Sequence, residues 1–221
     1  MVEAAGGDAG TASAAPAAGA PRFVLRAAET RAELRTFADL TKEYYEWLGE
    51  DLCFQGIEQE LAGLPGCYAP PGGGIILAFA PPPASGGGGG GGDSEPLGCV
   101  AVRPLGKHGG DKSDDSGSGS VGEGQGESGG GESGGAAAPP GPVAEMKRLW
   151  VRGAARGTGL GRALVLAAVA AARGAGYKSI VLDTLERLEA ANKIYEGVGF
   201  RRRGAYYHNP LPNVVYWELD L

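Results

Sequence analysis

The chain has 221 residues, a formal net charge of −6 and 42 glycines, which is enough for one ordinary domain with additional segments. The glycines are concentrated in a few tracts, which is typical of low-complexity segments and excludes a fibrous glycine-repeat fold. No stretch approaches the roughly 20 apolar residues that a membrane-spanning helix needs, so we expect no membrane association.

The N-terminal segment 1–20 is rich in Ala and Gly, contains Glu3 and Asp8, and has no Lys or Arg. Transit peptides are Arg-rich and poor in acid, so we predict a disordered tail instead. The three cysteines form an odd count without C-x-x-C spacing or a signal peptide, which favours a reducing compartment and a cytoplasmic protein. The two histidines, His108 and His208, are far apart in sequence, so we expect no metal site.

Two low-complexity tracts, at about 81–95 and 106–142, interrupt the chain. Neither can bury a core, so both are predicted to be flexible insertions in a single domain over 21–221. Block 21–80 carries 5 basic and 9 acidic residues, whereas block 143–221 carries 12 basic and 7 acidic residues. We therefore expect a basic C-terminal half that faces an acidic N-terminal half.

Hydrophobic periodicity and turn signals predict a mixed α/β fold. Thr30 and Glu33 form a T-x-x-E capping box at the start of a first helix, which Gly49 ends. Further helices are predicted at 57–62, 160–173 and 188–198. Strands are predicted at 23–26, 74–79, 97–102, 146–151, 179–182 and 214–219. The order β-α-α-β-β-β-α-β-α-β indicates a sheet of about six strands with about four helices.

The most specific motif lies between the fourth strand and the third helix. It consists of Arg156, Gly157, Thr158, Gly159, Leu160, Gly161 and Arg162. Glycines let the backbone turn sharply and approach a ligand, and the helix that follows offers free N–H groups and the positive end of its dipole. Because the two arginines add positive charge there, the motif predicts a pyrophosphate-binding loop.

Two common phosphate-binding loops do not fit this motif. A Walker loop requires G-K-[ST], but Gly161 is followed by Arg162 and Ala163. A Rossmann loop requires a small third residue at the position of Arg162. Asp183 imitates the ribose-binding acid of that fold, but only 38 residues follow it, too few to complete a doubly wound sheet.

The residues around the loop resemble the GCN5-related N-acetyltransferase (GNAT) family, whose signature is R/Q-x-x-G-x-G/A after a strand that ends in a hydrophobic-x-Val run. Here Leu149, Trp150 and Val151 precede the loop. Segment 191–200, ANKIYEGVGF, resembles the family's A-x-x-x-Y-x-x-x-G-F segment. The resemblance implies a GNAT-like sheet and acetyl-CoA as co-substrate, bound by the loop and by 149–151. It also implies direct attack of an amine on the thioester within a ternary complex.

By the same resemblance, Tyr195 protonates the departing CoA thiolate, and a backbone N–H near Val151 stabilises the oxyanion. Glu145 lies six residues before Val151, like the catalytic glutamate of histone-acetylating relatives. On a regular strand it shares a face with Lys147, Leu149 and Val151. We expect either Glu145 or a water chain to remove the proton from the amine.

The chain departs from the family pattern at two positions. Gly153 replaces a frequent Pro, and Leu188 replaces an Asn that contacts CoA in many members. The resemblance makes Asn192 the candidate replacement for that contact. Segment 206–212 resembles a bacterial-type branch of the family whose amine substrates are poorly defined.

The acceptor is expected to be a small-molecule amine. The acidic stretch 42–60 either attracts a cationic amine or forms a solvated helix face, and among Tyr44, Tyr45 and Trp47 at least one is expected to line a pocket. Two alternatives stay open, a protein lysine or N-terminal acetyltransferase and a non-catalytic acyl-CoA-binding sensor. The short arginine run 201–203 is expected to meet CoA phosphate or solvent, so we expect no nucleic-acid partner. The sequence does not define the oligomeric state.

Overall fold

The computed structural model describes residues 22–50, 56–82, 94–106 and 141–221. The predicted tail at 1–20 and most of the predicted insertions at 81–95 and 106–142 lie outside the described residues. The strands are β1 Val24–Ala27, β2 Gly74–Phe79, β3 Pro96–Pro104, β4 Val143–Val151, β5 Ser179–Leu185, β6 Arg201–Arg203 and β7 Val214–Asp220. The helices are α1 Arg31–Leu48, α2 Ile57–Ala62, α3 Leu160–Gly174 and α4 Glu189–Val198.

Within the described residues, the strands form one seven-stranded sheet in the order β1-β2-β3-β4-β5-β7-β6. Neighbouring strands are antiparallel except β4 and β5, which run parallel. The predicted mixed α/β fold and its element order are confirmed. The expectation of about six strands missed β6, because three consecutive arginines carry no strand pattern and are ordered here by pairing with β7.

Helix α1 begins and ends where its capping residues predict. The Thr30 hydroxyl accepts a hydrogen bond from the Glu33 N–H (3.2 Å), and the Glu33 carboxylate accepts one from the Thr30 N–H (3.0 Å). Gly49 ends the helix at φ 70° and donates to the Tyr45 carbonyl, a left-handed conformation that glycine adopts without strain. Phe37 and Leu40, both fully buried, anchor the helix on the sheet.

Helices cover both faces of the sheet. On one face, α3 and α4 pack against a core that includes Val100, Val102, Met146, Leu164, Val165, Ile180 and Leu182. On the other face, α1 and the segment after α2 pack against a core that includes Phe37, Leu40, Tyr68, Ile75, Leu77, Cys99 and Trp150. Full burial of each large apolar side chain contributes about 1.5–3 kcal/mol to the free energy of folding. The two layers of helices therefore hold the sheet in place from both faces.

The two parallel strands separate soon after they meet. β4 and β5 pair only from Val143 opposite Ser179 to Glu145 opposite Val181. Beyond that point β5 continues its ladder with β7 as far as Leu185, while β4 continues with β3. The sheet is therefore open between the C-terminal halves of β4 and β5.

A bulge in β4 changes which side chains share a face. Arg148 has φ 58°, and the register with β3 shifts between the pairs Cys99–Trp150 and Ala101–Lys147. An extra residue of this kind places two successive side chains on the same side of a strand. Arg148 consequently follows Lys147 on the α1/α2 face, as its hydrogen bonds to Glu60 show.

The expectation that Glu145 shares a strand face with both Leu149 and Val151 is therefore wrong. Leu149 and Val151 pack against the core under α3, whereas Glu145 bonds Arg103 on the opposite face. The physical reason is the bulge at Arg148, which reverses the alternation of side chains along β4.

Among the described residues, three ion pairs join the acidic and basic halves of the chain. Arg152 donates to Glu43 (2.9 Å), Arg187 to Glu50 (2.9 Å) and Arg148 to Glu60 (2.8 Å). Each glutamate comes from the acidic stretch 42–60 and each arginine from the C-terminal half. These three glutamates thus join the two halves, a use that was not among the two expected for the stretch, whereas Glu46 and Glu58 are exposed, as expected of a solvated helix face.

Candidate active site

A cleft of about 490 Å³ lies where β4 and β5 separate, a volume typical of small-molecule sites. Its walls come from the end of α1, the C-terminal halves of β4 and β5, the start of α3, α4 and the loop before β7. The lining residues include Tyr44, Trp47, Leu149, Trp150, Val151, Arg156, Gly157, Gly161, Asp183, Tyr195, Asn209 and Leu211. The opening of the sheet is thus the place where the predicted site residues converge.

The glycine loop meets one end of this cleft. Gly157 and Gly159 have φ of 75° and 89°, values that residues with a Cβ adopt only under strain. α3 starts directly after Gly159 and has no side-chain cap, so the N–H groups of its first turn have no intrahelical partner. With the positive end of the helix dipole added, this end of the cleft favours an anion.

The residues of the loop divide into three groups. Arg156, Gly157 and Gly161 line the cleft. Thr158 instead donates its hydroxyl to the Ala155 carbonyl (2.7 Å), and Leu160 is buried in the core at 1% exposure. Gly159 and Arg162 are exposed and are not among the described residues that line the cleft. The side chains of Thr158 and Leu160 therefore shape the loop from within.

The end of β4 presents a backbone donor to the cleft. The Arg152 N–H donates to the Leu97 carbonyl of β3 (2.9 Å). Successive N–H groups of a strand point to opposite edges, so the Val151 N–H points away from β3 and toward the gap left by β5. Leu149 and Trp150, the other residues predicted to hold the cofactor, also line the cleft.

Tyr195 is held in the cleft wall by aromatic neighbours. It is 5% exposed, lines the cleft, and its ring lies 5.8 Å from that of Phe200 and 6.2 Å from that of Trp217. Burial raises the pKa of Tyr195 well above its ordinary value of 10.0, so the hydroxyl is protonated at neutral pH and can donate a hydrogen bond.

Asn192 lies on α4 but points away from the cleft. Its Nδ2 donates to the carbonyls of Leu185 (3.1 Å) and Leu188 (3.1 Å), and its Oδ1 accepts from Trp217 Nε1 (2.9 Å). It is not one of the described residues that line the cleft. The side chain secures the turn between β5 and α4 against β7, and its geometry does not support the predicted contact with CoA.

Glu145 is also directed away from the cleft. It is 0% exposed, and its carboxylate accepts hydrogen bonds from Arg103 Nε (2.8 Å) and from the Tyr206 hydroxyl (2.9 Å). Lys147 Nζ lies 3.6 Å from the same carboxylate. This geometry does not support direct contact between Glu145 and an amine in the cleft.

Asp183 is a cleft carboxylate that sequence reasoning considered only as a ribose-binding acid. It accepts hydrogen bonds from Lys147 Nζ (3.0 Å), the Tyr207 hydroxyl (2.8 Å) and Asn209 Nδ2 (3.2 Å). Burial alone would raise the pKa of Asp183, but the charge and hydrogen bond of Lys147 outweigh it and the net pKa lies below 3.8. The sequence offered one indication of these contacts: the run Tyr-Tyr-His-Asn at 206–209 carries hydrogen-bond donors, which need acceptors when they are buried.

Glu60 and Arg148 form a second buried pair that sequence reasoning missed. Both Arg148 Nε and Nη2 lie 2.8 Å from the Glu60 carboxylate, which also accepts from the Tyr68 hydroxyl at 3.0 Å. Burial would raise the pKa of Glu60, but the bonds and charge of Arg148 hold it below 4.5. The sequence offered one indication of this pair: α2 has only six residues, so it needs a strong tertiary contact to stay folded.

Acid is expected to destabilise the fold through these two carboxylates. Because the pKa values of Glu60 and Asp183 are lower in the folded chain than their ordinary 4.5 and 3.8, the unfolded chain binds protons more readily. The stability that these two carboxylates contribute is fully present at pH values above their ordinary pKa. It is lost as the pH falls through their lower pKa values in the folded chain. Urea unfolding at pH 7, 5, 4 and 3 should show a loss that begins near pH 4.5.

The matched control for this pH series is Glu58→Gln, which removes an exposed carboxylate from the same helix. It should keep the acid slope of the wild type, whereas Glu60→Gln should reduce the slope. A free energy of unfolding that stays constant between pH 5 and pH 3 would contradict the expectation.

Two of the three aromatic residues near the end of α1 lie in the cleft wall, whereas the arginine run 201–203 lies outside it. Tyr44 and Trp47 line the cleft, as at least one of the three was expected to, and Tyr45 packs beside Arg148. In the run 201–203, Arg201 pairs with Asp220 and Arg203 with Glu218 on β7. That run lies outside the cleft lining, so its charges serve the β6–β7 pair.

Within the described part of the chain, no helix is long and apolar enough to cross a bilayer. The same residues contain no group of three or more His, Cys, Asp or Glu side chains placed to hold a metal ion. Cys67 and Cys99 are free thiols.

The opened sheet, the glycine loop at a helix start and the buried cleft tyrosine together form the arrangement of an N-acyltransferase. The Acetyltransferase (GNAT) family matches residues 25–200. The chain is 33% identical over 189 residues to an uncharacterized N-acetyltransferase of Schizosaccharomyces pombe, covering 86% of this chain and 89% of that relative. The chain therefore belongs to the GNAT family and is an N-acetyltransferase.

Solved structures share the fold at low sequence identity. An acetyltransferase from Streptococcus agalactiae has a TM-score of 0.58 at 16% identity, with 90% of this chain and 99% of that chain covered. A protein of Salmonella typhimurium, solved with its cofactor acetyl-CoA, has a TM-score of 0.52 at 13% identity, with 90% and 94% covered. These similarities confirm the predicted GNAT fold.

Proposed function

We propose that the protein transfers an acetyl group from acetyl-CoA to the primary amine of a small molecule, by direct attack in a ternary complex. The observation that carries this proposal is the cleft itself. One end offers the uncapped start of α3, the middle offers the Val151 N–H, and Tyr195 lines the wall. The first suits the anionic diphosphate of the cofactor, the second the thioester oxygen as it gains negative charge, and the third the leaving sulfur.

The proposed reaction needs little from ionisable side chains. The amine nitrogen forms a bond to the thioester carbon and the C–S bond breaks. The ammonium loses two protons in all: one ends on the CoA sulfur, through water in the cleft, and the other passes to solvent. The Val151 N–H stabilises the oxyanion, and the Tyr195 hydroxyl donates a hydrogen bond to the departing sulfur. Because Glu145 has no exposed surface, we assign removal of the amine proton to water in the cleft.

The other end of the cleft supports a small acceptor. Asn209 and Leu211, from the loop before β7, form a wall beside Asp183, and Asn209 is fixed there by its bond to the Asp183 carboxylate. The lowered pKa of Asp183 keeps that carboxylate ionised at neutral pH. In this proposal it orients the amino group of the acceptor.

The function is tested by measuring free-CoA release with acetyl-CoA and a panel of acceptors. The panel contains alkylamines, amino acids, aminoglycosides, and peptides with a free N-terminus or lysine. Turnover with at least one metabolite-sized amine, above that with any peptide, is expected. Peptide-only turnover would replace the small-molecule acceptor by a protein, and binding of acetyl-CoA without turnover on any amine would overturn the catalytic proposal.

Gly159→Asp is expected to abolish stabilisation by acetyl-CoA. At a concentration of 100 times Kd, wild-type protein should gain about 2.7 kcal/mol from the ligand by mass action. A carboxylate at the uncapped start of α3 repels the diphosphate, so the variant should gain nothing. Thermal melts with and without acetyl-CoA measure the difference.

Gly176→Asp is the matched control, because Gly176 has a similar positive φ of 84° and open space around its Cβ position but lies at the other end of α3. It introduces comparable backbone strain and should keep the full ligand-induced gain. If Gly159→Asp binds acetyl-CoA as tightly as the control does, the loop is not the diphosphate site.

A further inference from the structure

Four cationic side chains line the cleft, and only one lacks a carboxylate among the described residues. Lys147 pairs with Asp183, Arg148 with Glu60 and Arg187 with Glu50. The fourth, Arg156, makes one hydrogen bond, from Nε to the Val151 carbonyl (3.1 Å). Its terminal nitrogens have no partner in the part of the chain that the structure describes.

Arg156 is placed by two tryptophans. Its Cζ lies 4.7 Å from the ring centroid of Trp47 and 4.8 Å from that of Trp150, and the two indole rings are 5.2 Å apart. Both distances are within the range of an attractive cation–π contact. The guanidinium is thus held without loss of its charge, and its Nη groups stay available for an anion.

Trp47 has an exposure that a purely structural role does not explain. It lies at the end of α1 and is 49% exposed, so it contributes little to the core, whereas Trp150 is 8% exposed and belongs to the core under α1.

We propose that Trp47 is a positioning residue for the cofactor: it holds the Arg156 guanidinium where the diphosphate of CoA binds. This inference rests on the proposed function. An arginine side chain loses rotamer freedom when it is ordered. Because stacking on Trp47 and Trp150 already orders the Arg156 side chain in the free protein, less conformational entropy is lost when CoA binds, and the affinity for CoA is higher.

The test compares two probes that differ in their phosphates. Calorimetric titration with CoA and with pantetheine, which has no phosphate, is carried out on wild type, Trp47→Leu and Trp47→Phe. Trp47→Leu should raise Kd for CoA about two- to fivefold, the value of a partly exposed cation–π contact, and leave Kd for pantetheine unchanged. Trp47→Phe retains an aromatic face and should restore most of the CoA affinity.

A double-mutant cycle shows whether Trp47 acts through Arg156. In an Arg156→Ala background, Trp47→Leu should have no further effect on Kd for CoA. Additive losses, or equal losses with pantetheine, would overturn the inference, because Trp47 would then contact the ligand itself. An unchanged Kd for CoA in Trp47→Leu would overturn it as well. If the wild type binds no CoA at all, the proposed function fails first and the inference falls with it.

Discussion

Glu60→Gln is expected to lower the free energy of unfolding by about 3–5 kcal/mol, because it removes the negative charge that the buried Arg148 guanidinium contacts at 2.8 Å. Arg148 is 7% exposed, and an amide at position 60 has one acceptor oxygen where the carboxylate has two for the hydrogen bonds from Arg148. Urea unfolding at pH 7 measures the loss. For a chain of this size, each kcal/mol corresponds to roughly 2–4 °C in Tm.

Two further variants make this expectation specific. Glu58→Gln, on the exposed side of the same helix, should change stability by less than about 0.5 kcal/mol. The double variant Glu60→Leu/Arg148→Met removes both charges and should be more stable than Glu60→Gln alone. A Glu60→Gln protein as stable as the Glu58→Gln control would show that the pair is solvated rather than buried.

Tyr195→Phe is expected to lower kcat about 10²-fold, in the range for loss of one hydrogen-bond donor to charge that develops in the transition state. The change removes one hydroxyl and retains the ring that packs on Phe200 and Trp217. The Kd for acetyl-CoA should change little, because the hydroxyl acts as the C–S bond breaks. The pKa of Tyr195 lies far above the value of about 8.5 for a thiol, so the hydroxyl stabilises the leaving thiolate chiefly by donating a hydrogen bond.

Turnover and Tm measured on the same preparation distinguish a catalytic role of the Tyr195 hydroxyl, whose loss lowers kcat, from a structural role, whose loss lowers Tm. Tyr177→Phe is the matched control, since the Tyr177 hydroxyl donates to the Gly72 carbonyl (2.7 Å) outside the cleft. It should lower Tm slightly and leave kcat unchanged. Full turnover by Tyr195→Phe would remove this residue from the mechanism. The next candidates would be water and Tyr44, which also lines the cleft, because the hydroxyls of Tyr206 and Tyr207 donate to Glu145 and Asp183.

The sequence predicted those parts of the fold that depend on local pattern. The capping box at Thr30, the glycine that ends α1 and the loop at 156–162 are each encoded within a few residues, and the structure has them where they were expected. The convergence of the loop, the end of β4 and Tyr195 on one cleft followed from the family resemblance, which supplied the non-local arrangement.

The sequence did not predict features that depend on a partner distant along the chain. The bulge at Arg148 arises from the register with β3, so regular alternation wrongly placed Glu145 on the face of Leu149. The partners of Asp183 come from β4 and from the loop before β7. For the same reason, the acidic stretch 42–60 was interpreted as an attractor for amines or a solvated face, because the arginines that pair with it lie more than 80 residues away.

The pair between Glu60 and Arg148 also sets an order of events during synthesis. The two residues are 88 positions apart, so at 5–20 residues per second the glutamate leaves the ribosome roughly 4–18 s before the arginine. A carboxylate buried alone is strongly unfavourable, so α2 has no reason to dock during that interval. Arg103, which lies 4.0 Å from the same carboxylate, is made earlier but gives only the more distant contact. We therefore expect α2 to dock stably only after β4 has been made.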